Sequence, residues 1–583
     1  MKWCTMKSSD FIIPEKEVIL KKGELRKQLK NKLNKEARKI IDTDIPVVTY
    51  SMFKLFHLTG DRVTYEKPFR EKRRNLVILA MAYYLTGNKK YLMKLQDYIW
   101  ETCNEPSWSL PAHLPETLNY EKRYIDLVVS TTAATLAEIL ALTGDHLDEN
   151  IKKRIMYELE KRVFIPFYQH PGDYGWFERY DSNWCAVCCG AIGTAVILAG
   201  RNQVYFEKIV NNVAQAISRY FDNFDTQGAW VEGISYWNYG LTHAVRFADT
   251  LYRATDGKLN LFNHLKIQLT GLFPVHCFLP PDGFVNFGDC HRHVALTRET
   301  MLLLAIYTKA GKYISWLARH VTMSDLQEIR SLRDIKIPAG SVPDETFVHY
   351  PDIGWVITRK NWKDKNGPVF AIKAGNNNEP HNQIDVGQFI FHVFGEDYLC
   401  DHGAGKYTKD YFSAKRYQNP FCSAEGHSVI FIDGKGQGIG PEFCGKILKA
   451  QHSKDVDEVV VNLIGAYPVG LASNITRTAT FSKKQKYGLL LIDDFIETSE
   501  ERTIESRLQY NGQLKKLDRS HFILKGKNGK VAINILKPEK FSVSIGKFGN
   551  LEEIAGEKTP IQFLKITTKS RKTRFLIEFQ PVL

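Results

Sequence analysis

A glycine recurs through the first half of this chain at a nearly constant spacing. It stands in YYLTGNKKY, LALTGDHLD, VILAGRNQV, YRATDGKLN and YTKAGKYIS as Gly87, Gly144, Gly200, Gly257 and Gly311, at intervals of 57, 56, 57 and 54 residues. An earlier relative, FHLTGDRVT, carries Gly60. Each follows a helix-like apolar stretch and precedes another. At ~1.5 Å per helical residue, a period of about 56 residues holds two long helices and two connectors. A glycine just past a helix suits a left-handed cap. Helical hairpins repeated in this way curl into a ring, with alternate helices inside and outside. The repeat predicts an incomplete α/α toroid over 51–338, preceded by an extension with the first helices over 1–50.

The pattern changes near IKIPAGSVPDE (335–345). Beyond it, short runs rich in Val, Ile, Phe and Tyr alternate with turn residues: FVHYPDIGWVITRK, PVFAIKAG, GQFIFHVFGEDYLCD, HSVIFIDGKGQ, VVVNLIGAY, GLLLIDDFIET and FLIEFQPV. This is strand punctuation without helical periodicity, and it predicts an antiparallel β-sandwich over 339–583. A multidomain α + β chain of this kind has a cleft between its domains, the usual place for a large ligand.

Composition narrows the ligand. The chain has 79 Lys+Arg against 65 Asp+Glu, a formal charge of +14, with 44% hydrophobic and 25% charged residues. That balance excludes wholesale disorder and favours a polyanionic partner. No nucleic-acid motif stands out, and no apolar run of about 18 residues suggests a membrane span. An acidic polysaccharide is therefore the expected partner; oligomeric state is open. MKWCTMKSSDFIIPEKEV has no apolar stretch of signal-peptide length. Cytoplasmic location is expected, or periplasmic or secreted if a signal has been removed. Ten cysteines are too sparse for a disulfide scaffold. Cys185, Cys188 and Cys189 lie in AVCCGAIGTAVILAG and read as small core residues rather than metal ligands.

The repeat also superposes polar residues. Asn183 lies 17 residues before Gly200, Tyr239 lies 18 before Gly257, and His293, with His291 beside it, lies 18 before Gly311. Arg123 and Tyr124 fall about 20 before Gly144. Equivalent positions of a toroid share one end, so these residues are expected at one mouth. The surrounding segments GDYGWFERYDSNW, WVEGISYWNYGLTH and NFGDCHRH add Trp176, Arg179, Trp184, Trp230, Glu232, Tyr236, Trp237 and His243. Capping by Asp181 or Ser182 explains one polar residue per helix start, not this aromatic cluster. In the second half, His381, Gln383 and Asp385 alternate as on a strand, with Asp401 18 residues after Gln383 and His427 another 26 on. Such side chains on neighbouring strands can hold a divalent metal.

With these residues in place, the chain resembles the heparinase II/III-like polysaccharide lyases. The carrying segments are SNWCAVCCGAIG (182–193), EGISYWNYG (232–240), NFGD (286–289), H-x-x-x-D-x-G-x-F (381–389), D-x-G-x-G-x-Y (401–407), YFSAKRY (411–417) and GHSVIFIDGKGQ (426–437). The resemblance implies an α/α toroid with a β-sandwich and cleavage of uronic-acid polysaccharides. It implies that Asn183 neutralises the substrate carboxylate, that Tyr239 (or Tyr236, close by in the motif) is the general acid, and that His381 assists as base. Asp401 and His427 match metal ligands of the family. Gln383 stands where the family pattern often has a second histidine, so the implied ion is zinc, manganese or calcium in a structural role. No organic cofactor is implied.

A lyase removes the C5 proton of a uronate and expels the 4-linked oxygen. An amide such as Asn183 can stabilise the enolate-like charge, and Tyr and His can move the protons. A tyrosine titrating near pH ~10 needs cationic neighbours to act as base; Arg179, His243, Arg246 and Arg416 are the candidates. Trp184 and Trp237 offer flat faces for sugar rings, and Arg123, Tyr124, Glu232 and His291 complete the expected binding set. The favoured substrates are glycosaminoglycans (heparan sulfate or heparin, hyaluronan, chondroitin), with alginate or another polyuronate as the alternative. A non-catalytic acidic-polysaccharide-binding protein is the reading from another class. No second carboxylate pair suggests a glycoside hydrolase.

Overall fold

The structure, a computed structural model, describes residues 24–324, 338–548 and 561–583, together with residues 6, 7, 9 and 11. The change of pattern expected near 335–345 thus lies partly outside the described residues. The first half is helical: α1 (Glu24–Ile41), α2 (Tyr50–Thr59), α3 (Val63–Thr86), α4 (Lys89–Asn104), α5 (Leu127–Thr143), α6 (Glu149–Leu159), the short α7 (Ile165–Gln169), α8 (Asn183–Ala199), α9 (Phe206–Asp222), α10 (Gly233–Ala254), α11 (Leu265–Thr270), α12 (Leu272–Cys277), α13 (Arg298–Tyr307) and α14 (Gly311–Leu317). Helices α3, α5, α8, α10 and α13 pack side by side in that order, and α4, α6, α9 and α14 back their hairpin partners. This is the expected arc of hairpins.

Sequence decides which helix lies inside. α8 (NWCAVCCGAIGTAVILA) is apolar on every side and almost wholly buried, whereas α9 buries one stripe, including Ile209, Val213, Ile217 and Tyr220, and leaves the other polar. The small residues of α8 permit close approach. A Cβ added at Gly190 would lie 2.3 Å from the His243 carbonyl oxygen of α10, and one at Gly193 would lie 2.5 Å from the Phe247 ring. Cys185, Cys188 and Cys189 are buried free thiols in the same interface, as expected of core residues. The repeat glycines are less uniform than expected. Gly60, Gly87 and Gly257 take positive φ (79°, 69° and 75°). Gly144 (φ −55°) instead continues into a 3-10 turn, Gly200 has φ −109°, and Gly311 opens α14. A helix end can also close without the left-handed cap. The expected absence of a long apolar run is corrected too. By length and composition alone Leu127–His146 is apolar enough to cross a membrane, but 61% of its most apolar 18-residue window is buried inside the protein, as in the core helix of a ring.

Among the described residues, the second half is an antiparallel sheet system of sixteen strands. Its spine is the pairing of Leu489–Tyr510 with Gln562–Val582, whose register breaks between Glu497 and Arg502. One side of the break continues through Asn474–Ser482 to Val456–Asn462. The other meets Ile430–Ile432 and Glu396–Leu399 and leads to Phe389–Val393. Ile475, Phe481 and Ile492 from the first side share one core with Phe389, Phe391 and Leu508 from the second, so the sheet folds over a common apolar interior.

The two halves also share a core. Tyr350, Trp355, Ile357 and Ala371 of the sheet belong to the same buried cluster as the helical ring. The Trp355 ring meets Phe273 and Phe287, at 5.7 and 5.1 Å. Asp225 and Asp352 clamp the junction reciprocally: Thr226 N–H donates to Asp352 (2.8 Å), and Asp352 N–H donates to Asp225 (2.7 Å). The cleft between the domains therefore has fixed walls. Gly190→Ala is expected to overpack the α8–α10 contact and cost about 1–3 kcal/mol. Urea unfolding at neutral pH measures this, and an unchanged midpoint would refute the close-packing account.

Candidate active site

A cleft of about 1150 Å³ opens where the N-terminal ends of the inner helices face the loops of the sheet domain. The helical wall supplies Arg62 and Arg70 at the start of α3, Leu127 and Val128 at the start of α5, Asn183 and Trp184 at the start of α8, and Tyr236 and Tyr239 in the first turns of α10. The sheet domain supplies His381, Asn382, Tyr407, Lys409, Phe412 and Arg416. The superposition of repeat positions thus brings Asn183 and Tyr239 to one mouth, with Tyr236, Arg179, Trp184, Glu232, His381 and Arg416 beside them.

Asp289, at the end of NFGD, is 1% exposed and accepts hydrogen bonds from four side chains of the other domain. Its Oδ2 receives His381 Nδ1 (3.2 Å) and Arg416 Nη2 (2.8 Å). Its Oδ1 receives Tyr411 Oη (2.5 Å) and Gln383 Nε2 (3.0 Å). Burial alone would raise the Asp289 pKa. The His381 hydrogen bond and the Arg416 charge outweigh burial and leave it below its ordinary value. With Nδ1 donating to Asp289, the lone pair of neutral His381 resides on Nε2, which lies 3.9 Å from Glu232 Oε1. His381 itself has φ 57°, and its carbonyl accepts Asp289 N–H (3.1 Å). His381, Gln383 and Asp385 therefore lie in a loop rather than on the expected strand. The left-handed turn at His381 lets both its backbone and its ring reach Asp289.

Asn183 Nδ2 donates to both oxygens of Glu232 (3.0 and 3.1 Å), and Trp230 Nε1 donates to the second (2.7 Å). Burial raises the Glu232 pKa against the opposing effects of His381, Trp230 and Asn183. The Tyr236 ring stacks on His381 at 3.8 Å between centroids, and its hydroxyl bonds that of Tyr407 across the cleft. Burial holds the Tyr236 pKa above its ordinary value. Tyr239 is 37% exposed in the cleft.

Several expected residues sit elsewhere. Trp237 is fully buried and donates to Thr270 Oγ1 (2.8 Å), so it is core rather than a sugar platform. Trp184 does face the cleft, edge-on to His113 at 4.8 Å. His291 is exposed outside the cleft, its backbone N–H donating to Ser235; His293 is likewise exposed, near Asp282. Arg123 and Tyr124 line a separate cavity. The expected cationic neighbours of the tyrosines are committed or neutral. Burial lowers the His243 pKa to about 3, Arg246 pairs with Glu299 (2.8 Å), Arg416 pairs with Asp289, and exposed Arg179 meets Asp181 (3.2 Å). The expected set lacked Asp289, Tyr407 and Tyr411, although all three stand in the quoted motifs NFGD, D-x-G-x-G-x-Y and YFSAKRY. It also lacked His113, held by Asp126 at 2.6 Å, for which no motif gave a signal.

Beside the cleft, Asp385, Asp401 and His427 bring ligand atoms within 4.8 Å of one another, all buried. Asp385 joins the expected Asp401 and His427. Gln383 turns its Nε2 to Asp289 and Gly403 (2.9 Å). Asp385 Oδ2 and Gln383 Oε1 are buried without hydrogen-bond partners among the described residues, His427 Nδ1 faces Asp401 Oδ2 at 3.4 Å, and His427 Nε2 lies 3.2 Å from the Phe421 carbonyl. Unsatisfied buried acceptors are costly, and a histidine whose second nitrogen is held by a carbonyl is arranged as a ligand. The group could hold a metal ion, and its oxygen-rich donor set is of the kind that suits hard or borderline ions.

Residues 342–569 match the family model described as Heparinase II/III-like, C-terminal. No curated protein matches by sequence. Among solved structures, the chain is similar to heparinase III, with a TM-score of 0.66 and 14% identity over 98% of this chain and 94% of that one. It is also similar to a heparan sulfate lyase from Pedobacter heparinus (TM-score 0.61, 14% identity, 99% and 93% coverage). A third similar structure is a chondroitin AC lyase of Streptomyces coelicolor A3 in complex with chondroitin sulphate (0.56, 11%, 96% and 80%). The C-terminal match is thus to a heparinase II/III-like domain, and the fold of the described residues is similar to that of heparinase III and of the heparan sulfate lyase.

Two outcomes follow from the buried groups. Asp289→Asn is expected to cost about 3 kcal/mol at neutral pH, because it leaves Arg416 without its buried partner. Asp289 has a lowered folded pKa, so its contribution is present above its ordinary value of 3.8 and is lost as pH falls through the lowered one. The stability gap between wild type and variant should therefore close in acid; a gap that is constant down to pH ~2 contradicts the assignment. Dialysis against a chelator should lower the thermal midpoint, and adding back a divalent ion should restore it. Asp401→Asn should abolish that response.

Proposed function

We propose that the chain is a polysaccharide lyase that cleaves uronate-containing glycosaminoglycans by β-elimination. The observation that carries this reading is the convergence, in the lining of one long cleft, of Asn183, Tyr239 and a His381 imidazole oriented by Asp289. A primary amide has two N–H donors; Glu232 holds the Asn183 group in place while one donor serves the substrate carboxylate, where negative charge develops in the transition state. His381 Nε2 takes the C5 proton. The electrons of that bond form the C4–C5 double bond as the C4–O bond breaks, and a tyrosine gives its proton to the leaving oxygen. Tyr239 suits this last role, because its side chain lines the cleft and its hydroxyl has no hydrogen-bond partner among the described residues. Tyr236 is committed to His381 and Tyr407 and acts as a positioning residue. Burial raises the pKa of both Tyr236 and Tyr239 against the opposing charges of Arg416 and Arg70, which favours phenols that stay protonated, so the base is His381. Asp385, Asp401 and His427 would hold a divalent ion, which would supply positive charge to the buried acidic pocket behind the His381 loop in a structural role.

The cationic rim supports an acidic chain as substrate. Arg62 and Arg70 share the single carboxylate of Glu66 (2.7 and 2.8 Å), which leaves net positive charge on the cleft wall, and Lys409 adds to it. The similar structures include lyases named for heparan sulfate and chondroitin, which agrees with this substrate class.

A panel of heparan sulfate, heparin, hyaluronan, chondroitin and alginate tests the reading by the far-UV absorbance of unsaturated products. Absorbance should rise with at least one glycosaminoglycan; none with any uronate polymer refutes a lyase and leaves only binding. Tyr239→Phe and Asn183→Ala should each lower kcat by about 10²-fold or more. Tyr236→Phe should remain measurably active; the opposite pattern between the two tyrosines would assign the acid to Tyr236.

A further inference from the structure

Arg123 and Tyr124 leave the catalytic cleft but do not lose a cavity. With Tyr120, Lys122, Lys161 and Arg162 they line a second pocket of about 290 Å³. This is at the lower edge of the ~300–1,000 Å³ range of small-ligand sites. Four cationic side chains face this space and no Asp or Glu lines it. Arg162 is pre-set: its guanidinium donates to the carbonyls of Glu105 (2.7 Å) and Cys103 (3.3 Å), pairs with Glu158, and lies 4.7 Å over the Trp108 ring. Lys122, Arg123 and Lys161 have no ion pair among the described residues. Lys122 Nζ lies 5.6 Å over the Tyr124 ring. Like charges gathered around a concave space repel one another unless an anion enters, and they focus the field on it. The tyrosine rings add flat faces of the kind a sugar packs against.

The pocket is also tied to the cleft wall. Tyr174 Oη donates to the Arg123 carbonyl (3.2 Å) and Trp176 Nε1 to the Ile125 carbonyl (2.8 Å). Gly175 and Trp176 line the cleft, as do Leu127 and Val128, whereas Val129 lines the second pocket. One segment, 119–129, thus has the catalytic cleft on one side and the basic pocket on the other.

We infer that this pocket is an accessory site for an anionic group on a sugar, a sulfate ester or a carboxylate, and that it grips an acidic polysaccharide outside the catalytic cleft. The inference rests on the reading of the chain as a protein of acidic polysaccharides, but not on catalysis. Its test therefore uses probes without uronate, on which no elimination can occur: fluorescent sulfated and carboxymethylated glucan oligosaccharides, followed by anisotropy with the full chain. Arg123→Ala combined with Lys161→Glu should weaken binding of at least one probe roughly tenfold and reduce the dependence of affinity on salt. Lys122→Ala, an exposed change that spares the fold, should weaken it by a smaller factor in the same direction. Loss with the sulfated probe alone assigns the pocket to sulfate esters, and loss with both assigns it to any sugar anion. Unchanged affinity of both probes for the folded variants overturns the proposal, whatever the outcome of the lyase assay.

Discussion

The site depends on the carboxylate of Asp289. It comes from the helical ring, and every side chain that donates to it comes from the sheet domain. A carboxylate buried this deeply costs several kcal/mol unless it is paired and fully hydrogen-bonded. His381, Arg416, Tyr411 and Gln383 meet that requirement together. The same bonds fix the tautomer and tilt of His381, hold the loop over which Tyr411 and Arg416 are spread, and turn Gln383 beside the cluster of Asp385, Asp401 and His427. Separation of the domains at this point would strand an ion, so the geometry of the cleft and the stability of the domain contact are one interaction seen from two sides.

The aromatic residues divide by depth. Trp230 and Trp237 are buried, and their indole N–H groups are anchored to Glu232 and Thr270. Trp230 reaches the cleft only through Glu232, which in turn holds Asn183. Trp184, Tyr239 and Phe412 remain at the surface of the cleft, where a sugar ring can reach them. Two residues along α10 separate the packed Trp237 indole from the exposed Tyr239 phenol, because a helix of 3.6 residues per turn points positions two apart to nearly opposite sides.

Much of the fold was legible. The 56-residue glycine period announced hairpins, and the loss of that period near 340 announced strands. Asn183, Tyr239 and His381 were legible because each stands in a segment with a recognisable order of polar and aromatic residues. Asp289, Tyr407 and Tyr411 were visible as letters in motifs but not as site residues. Their value lies in partners more than 90 residues away, as in the contact of Asp289 with His381. His113 had no signal at all, since its partner Asp126 is 13 residues distant with no periodic relation to it. Arg123 and Tyr124 were misplaced because equal spacing within a repeat places a residue at one end of the ring but does not say which side of its segment faces the cleft.

By itself, the sequence determined the order of the two domains, the hairpin period of the ring, the excess of positive charge and the residue types available for proton transfer. These are local or summed properties, set by helix geometry, strand alternation and charge. Only the tertiary structure decided which of those residues meet. It joined Asp289 to His381, kept Trp237, His243 and His291 out of the cleft, added Asp385 to the possible metal ligands and gave Arg123 a pocket of its own. Side-chain partnership depends on the direction in which each element presents its residues and on desolvation that must be compensated across a domain boundary, and neither is written in spacing along the chain.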